Sequence, residues 1–366
     1  MNRTVPSPPV ARRNPKTLDI HGTQLHDDYG WLRDKDSPEV HAYLEAENAY
    51  TAAAMEGTAE LQSDLYDEIL SHIKEDDVSV PYRDGDWTYL TRTAKGSQYA
   101  VYLRRPAASP EAPEETILDV NQLAEGQPFM SLGAIGVSPN GRLLAYTTDN
   151  TGFRQYTLHI RDLTTGHELA DTAARVGSLA WAADSATLFF TTEDDQTKRQ
   201  DQLHRLALGQ TPVLVFEEPD ERFNLGIGRT TDRKYILLDI GSHTTNEVRF
   251  LDASAPENNF QLIAPRIDDE EYHPDHRDGF FILRTNREAE QFRLMRAPVA
   301  SPAREHWQEF LPEQKDAPLE DFDLFQNFLV ASYREAGLPV LRVFTLNAAG
   351  ALGPQNDIRF PDPAYS

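Results

Sequence analysis

The sequence predicts an all-β fold, a β-propeller of six recognisable blades with a seventh cut short, preceded by an α-helical N-terminal extension. Three observations carry this. Helical periodicity is confined to the region from Trp31 to about Asp76. From about Val78 onward the text becomes short β-rich runs separated by polar turns. Those runs repeat with a period typical of propeller blades.

The head comes first. Ser37-Pro38-Glu39 reads as an N-cap, a proline at the first helical position and an acid near the positive helix end. Behind it Val40, Tyr43, Leu44 and Glu47 share one face. A second segment starts near Thr58, where Leu61, Leu65, Tyr66, Ile69, Leu70 and Ile73 follow amphipathic helical spacing. Gly57 lies between the two, so the reading is an αα-hairpin. Its apolar stripe must pack on something.

In the body, a polar turn followed by an aliphatic or aromatic strand recurs six times. The instances are RDGDWTYLTRT, SPNGRLLAYTTD, AADSATLFFTTE, TTDRKYILLDIG, HRDGFFILRTN and LFQNFLVASYRE. With Asp84, Asn140, Asp184, Asp232, Asp278 and Gln326 as markers, the separations are 56, 44, 48, 46 and 48. A second strand follows each, and often a third. A four-stranded sheet cannot bury both faces alone, and a ring gives every blade a neighbour. The domains are therefore read as 1–77, an N-terminal arm and helical hairpin, and 78–366, a propeller incomplete at its C-terminal end. In this reading DIRF at Asp357 to Phe360 is the outer strand of the sixth unit.

Composition narrows function. The 366 residues include 59 Asp+Glu against 35 Lys+Arg, a net charge of −24. Such a field repels phosphate backbones and attracts cationic ligands, so no nucleic-acid partner is expected. The absence of cysteine excludes disulfides, thiolate metal sites and Cys nucleophiles in these residues and fits a reducing compartment. The N-terminal MNRTVPSPPVARRNPK lacks an apolar h-region, and runs such as Phe328 to Ala331 are too short to span a bilayer. The expectation is a soluble cytoplasmic protein without a membrane partner, its first dozen residues a floppy arm.

The head motifs then resemble a known family. They are Asp28-Tyr29-x-Trp31-Leu32-Arg33-Asp34, Tyr43-Leu44-x-x-Glu47-Asn48 and Lys74-Glu75-Asp76-Asp77-x-Ser79-Val80-Pro81, followed by Tyr82 and the Arg92/Tyr99 hairpin. This text resembles the N-terminal region of the prolyl oligopeptidase family of serine peptidases, in its oligopeptidase B (protease II) branch. The resemblance is specific over the first hundred residues and more generic after that. It implies a helical extension, a seven-bladed propeller that admits only peptides, and a following α/β-hydrolase catalytic domain that cleaves after Arg or Lys. It implies as partners that catalytic domain, missing from this chain, and short basic peptides. The family's catalytic Ser, Asp and His map to no position here, so no catalytic residue is assigned.

The residues themselves agree. No G-x-S-x-G nucleophile elbow occurs. The nearest text, Gly136 to Gly141 around Ser138, is hairpin chemistry. His273 and His276 lie among carboxylates, but Pro274 separates them and the helical i, i+4 spacing is absent, so the reading is a polar inter-blade loop and no metal site. His21 and His26 read as surface or packing residues. No Walker or dinucleotide loop is present, so no cofactor is expected. The acidic runs Glu217 to Glu221, Asp268 to Glu271 and Glu193 to Asp195 are either solvated loops or a rim that steers Arg- and Lys-bearing peptides. Two functions remain: the gating, substrate-selecting region of an oligopeptidase B-like peptidase, or a free-standing non-enzymatic propeller that binds partners.

Overall fold

The structure, a computed structural model, describes residues 7–348, 350–362, 364 and 365. The chain divides into two units, Met1–Asp77 and Val78–Ser366.

The first unit opens with a β-hairpin, Lys16–Ile20 against Thr23–Asp27. Its two-residue turn places His21 and Gly22 at φ 54° and 78°, the left-handed pair that such a turn requires. His21 is thus an exposed turn residue, and His26 is exposed with Nδ1 3.0 Å from Thr17 Oγ1. The arm before the hairpin is tied down by the Arg12–Glu39 ion pair and by its backbone. Asn14 N–H donates to the Asp28 carbonyl, and the Trp31 indole donates to the Arg12 carbonyl.

The helices run Pro38–Met55 and Ala59–Ser71. Between them lies one 3₁₀ turn, Glu56–Thr58, so the chain does not reverse and the expected αα-hairpin is absent. The physical reason is the junction backbone: Met55, Glu56 and Ala59 all have right-handed helical angles, and Gly57 lies outside the left-handed region. Ser37 does sit at the N-cap and Pro38 at the first position, but the Ser37 side chain makes no capping bond. Val40 is the one buried residue of the first helix, and the second helix has none.

The second unit holds six antiparallel sheets in sequence order. Blade 1 is built on Tyr82–Asp84, Trp87–Thr93, Val101–Pro106 and Glu115–Asp119, with an added two-residue edge strand. Blades 2 and 3 follow as Ser131–Val137, Leu143–Asp149, Thr157–Asp162, Ala173–Ala174, then Val176–Trp181, Thr187–Glu193, Gln200–Ala207, Val213–Glu217. Blade 4 is Asn224–Arg229, Tyr235–Gly241, Asn246–Asp252 and Gln261–Ala264. Blade 5 is Tyr272–Arg277, Phe280–Thr285, Arg293–Pro298 and Gln308–Leu311. Blade 6 is Leu319–Leu324, Phe328–Glu335, Leu338–Leu346 and Leu352–Asp357. This is the six-bladed propeller with a helical extension that the repeats predict.

Five of the six marker residues fall in the turn between the first and second strands of their blades, and Asp84 ends the strand that leads into it. Two details differ from the sequence reading. The outer strand of blade 6 is Leu352–Asp357, so DIRF only touches its last residue. His273 and His276 belong to the innermost strand of blade 5, not to a loop.

The blades pack face to face. Each apolar cluster draws on two neighbours: Phe189 and Leu203 of blade 3 with Leu225, Ile236 and Leu238 of blade 4, or Phe250 of blade 4 with Tyr272, Phe281 and Leu283 of blade 5. A strand covered on both faces loses its polar alternation, which is why Thr187 to Thr191 are buried without a break. Full burial of each such Phe or Leu contributes about 1.5–3 kcal/mol.

Polar links stitch the same interfaces, close to one repeat apart. The Trp181 indole donates to the Gly136 carbonyl, 45 residues away at 3.0 Å. Ser185 Oγ accepts from Asn140 N–H over 45 residues, Ser178 Oγ from Ile227 N–H over 49, and Asp275 Oδ1 from Thr231 N–H over 44. No described helix is long and apolar enough to cross a membrane.

Candidate functional site

The first strand of each blade lies at one edge of its sheet, and the first strands of blades 2 and 3, 3 and 4, and 5 and 6 lie against one another, so their exposed residues border the axis. The marker turns gather at one end, here the turn end. The crossings from one blade to the next lie at the other, the link end.

Along the axis the wall is uneven. Blade 4 offers Gly226 and Gly228, where an added Cβ would meet nothing within 4 Å, so the wall there is bare backbone beside open space. Blades 5 and 6 offer carboxylates. In Leu319–Leu324 the buried Leu319, Phe322 and Leu324 hold the strand in the core, which leaves Asp321 and Asp323 exposed. Asp275 comes from the neighbouring blade 5 strand.

These three carboxylates share one electrostatic environment. Partial loss of hydration against the wall lifts Asp323 above the usual carboxylate range although the residue is exposed, and the charges of Asp321 and Asp275 add to it. Burial also raises Asp275, against the bonds it accepts from the N–H groups of Thr231 and His276. Asp321 accepts from Phe322 N–H at 2.8 Å. The site can therefore attract a cation or a guanidinium or ammonium side chain, because a positive charge would relieve the mutual repulsion. Sequence reasoning missed it. The available signal was the F-D-L alternation that closes the strand.

A cavity of about 570 Å³ opens beside this wall at the turn end, lined by Asp232, Lys234, His276, Arg277 and Phe325 among others. It spans the marker turns of blades 4, 5 and 6.

The residues singled out in the sequence have other roles. Ser138 is buried in the blade 2 turn; its hydroxyl donates to Asn140 Oδ1 and accepts from Leu143 N–H, so it is consumed by the turn. His273 and His276 sit an odd number of residues apart on one strand and point to opposite faces. His273 is exposed, 3.6 Å from Glu271, whereas His276 is buried against Asp232. Among the described residues no group of three or more His, Cys, Asp or Glu is placed to hold a metal ion.

The acidic runs lie at the link end and are largely engaged. Glu218 is buried with Oε2 2.6 Å from Arg266. Asp220 is pulled down to about 2 by its bonds from Arg222. Asp194 caps the N–H groups of Gln196 and Thr197, Asp195 pairs with Arg175, and Glu270 pairs with Arg287.

Comparison with known proteins agrees with this architecture. The family described as "Prolyl oligopeptidase, N-terminal beta-propeller domain" matches residues 8–365. A dipeptidyl aminopeptidase BI from Pseudoxanthomonas mexicana is 37% identical over 98% of this chain and 52% of its own length. Protease 2 of Moraxella lacunata is 34% identical over 80% of this chain and 44% of its own. Oligopeptidase B from Leishmania major superposes with a TM-score of 0.88 at 27% identity, over 98% of this chain and 54% of that one. The chain thus spans about half the length of the curated relatives it matches. It belongs to the prolyl oligopeptidase family, as the N-terminal β-propeller domain of an oligopeptidase B-like peptidase.

Proposed function

We propose that this chain is the non-catalytic, substrate-selecting part of a cytoplasmic serine peptidase that cleaves short peptides after Arg or Lys. The observation that carries the reading is the axial wall of Asp275, Asp321 and Asp323, whose carboxyl groups repel one another in the absence of a cation. An Arg or Lys side chain passing along that wall gains what the carboxylates lose by their crowding. The ring restricts entry by size, and its wall by charge. Catalysis resides in an α/β-hydrolase partner domain, which supplies the Ser, His and Asp that this chain lacks. The exposed apolar stripe Leu61, Leu65, Ile69 and Ile73 supports a docking role for the helical head against that domain. The absence of cysteine supports the cytoplasmic placement.

The test is calorimetric titration of the chain with an Arg-containing tripeptide and its Glu counterpart at low salt. The expected result is preferential binding of the basic peptide, weakened severalfold in the Asp321→Asn/Asp323→Asn variant and by added salt. Equal binding of the two peptides would overturn the selection role. The purified chain should hydrolyse no Arg or Lys reporter peptide, and turnover by a protease-free preparation would overturn the non-catalytic assignment.

A further inference from the structure

The marker turns share a backbone feature. In five blades the residue directly after the marker is left-handed: Gly85, Gly141, Ser185, Arg233 and Gly279, with φ between 58° and 82°. Four of these are glycine or serine. Arg233 of blade 4 is the exception, a long side chain in a conformation that costs an L-residue about 1–2 kcal/mol.

The Arg233 guanidinium forms an ion pair with Asp84, the marker residue of blade 1, three blades earlier in the chain. The approach is close on both sides of that carboxylate. A Cβ added to Gly85 would lie 3.2 Å from Arg233 Nη1, so the guanidinium sits against the blade 1 turn, whose φ of 62° favours glycine at that position. Arg83 braces the same turn by donating from Nε to the Gly85 carbonyl at 3.0 Å. The links made by Trp181, Asn140, Ile227 and Thr231 join adjacent blades; this one joins turns that converge on the axis from non-adjacent ones.

We propose that Arg233 and Asp84 form a latch across the turn end of the axial space, holding that end narrow while the link end is left free of it. Both side chains remain about one-third exposed, so solvent ions can compete for the pair and the latch can open. This inference is independent of the peptidase reading, since a latched propeller of any function would show it.

The cysteine-free sequence makes the test clean. Asp323→Cys introduces a single thiol on the blade 6 inner strand, next to the turn end. Its rate of reaction with a bulky maleimide is measured in three backgrounds: native latch, Arg233→Gly, and the exchanged pair Asp84→Arg/Arg233→Asp. Arg233→Gly removes the side chain and also suits the left-handed backbone, so it keeps the turn. The expected result is at least fivefold faster labelling in Arg233→Gly, and a return toward the native rate in the exchanged pair. Raising salt on the native latch should move the rate in the same direction as Arg233→Gly. Equal rates in all three backgrounds, or no response to salt, overturn the proposal. If Arg233→Gly does not fold, Asp84→Asn tests the same bond from the other side, by the same criterion.

Discussion

Asp232 Oδ2 stands 2.6 Å from Nδ1 of His276, its neighbour one blade on. On the far side of the imidazole, His276 Nε2 accepts from Gly279 N–H at 3.1 Å, so the proton sits on Nδ1 and both nitrogens are used. The imidazole also packs edge-on against Tyr235 and Phe281. His276→Ala would strand the Gly279 N–H, unpair Asp232 and leave a void, at a loss of about 3 kcal/mol by urea denaturation. Burial alone would raise the Asp232 carboxyl, but bonds from His276, Thr230 and the Lys234 N–H outweigh it and hold the group below 3.8. A lowered folded-state value stabilises above the unfolded one and is lost as pH falls through the folded one. Asp232→Asn should therefore flatten the stability profile below pH ~4.

A second prediction concerns the Trp181–Gly136 link. Trp181→Phe keeps most of the buried ring but leaves the Gly136 carbonyl without its donor, for about 1 kcal/mol. Trp181→Ala also opens a cavity between blades 2 and 3, for about 3–5 kcal/mol. Thermal unfolding would check the order; equal losses would mean that the hydrogen bond dominates the packing.

Tyr272 should govern alkaline stability. Its hydroxyl accepts from Val248 N–H at 2.8 Å and donates to the Ala264 carbonyl at 2.5 Å. Burial pushes the phenol up to about 12 from 10.0. Its contribution is whole below pH 10 and is lost as pH climbs through the folded value. Tyr272→Phe should cost about 1–3 kcal/mol at neutral pH and remove part of the decline above pH 10, read from denaturation midpoints across pH 8–12.

Asp323→Asn should stabilise the chain while impairing it. The raised carboxyl means that ionisation at neutral pH works against the fold, and this penalty is absent well below the ordinary carboxylate range. The gain is small because the group is largely exposed, at most about 0.5 kcal/mol. Differential scanning calorimetry should show it at pH 7 and not at pH 3. Basic-peptide binding should weaken in the same variant, a trade of function against stability.

The helical stripe should be dispensable for the fold of the chain by itself. Leu65 and Ile69 are exposed, so Leu65→Gln/Ile69→Gln should change stability by no more than about 0.5 kcal/mol per site. Binding of an apolar-surface dye should fall. A loss of several kcal/mol would mean that the stripe is internal packing and has no docking role.

The sequence showed the blades because turn chemistry is local. Asn140-Gly141 or Asp278-Gly279 announces a hairpin without reference to the rest of the chain. The inner strands were harder to see. Asn224–Arg229 contains two glycines, and Tyr272–Arg277 contains a proline and two histidines, so neither has strand-like composition. Their placement comes from the propeller, which tolerates proline on an inner strand whose axial edge is unpaired. Gly57 misled for a related reason. Glycine permits a reversal but does not impose one, and here the chain passes through it in a single 3₁₀ turn. The wall carboxylates became visible only once two strands 47 residues apart stood side by side, Asp275 in Tyr272–Arg277 and the Asp321–Asp323 pair in Leu319–Leu324.

The one-repeat spacing of the inter-blade links also has a mechanical meaning. A force applied to the two ends of the body loads links that each bridge one repeat, such as Trp181 to Gly136 over 45 residues or Ile227 to Ser178 over 49. When one blade shears away, the slack released is one repeat of extended chain, about 160 Å. The propeller should extend as a staircase of nearly equal steps, and the Asp84–Arg233 pair is the one described bond that would have to break out of turn.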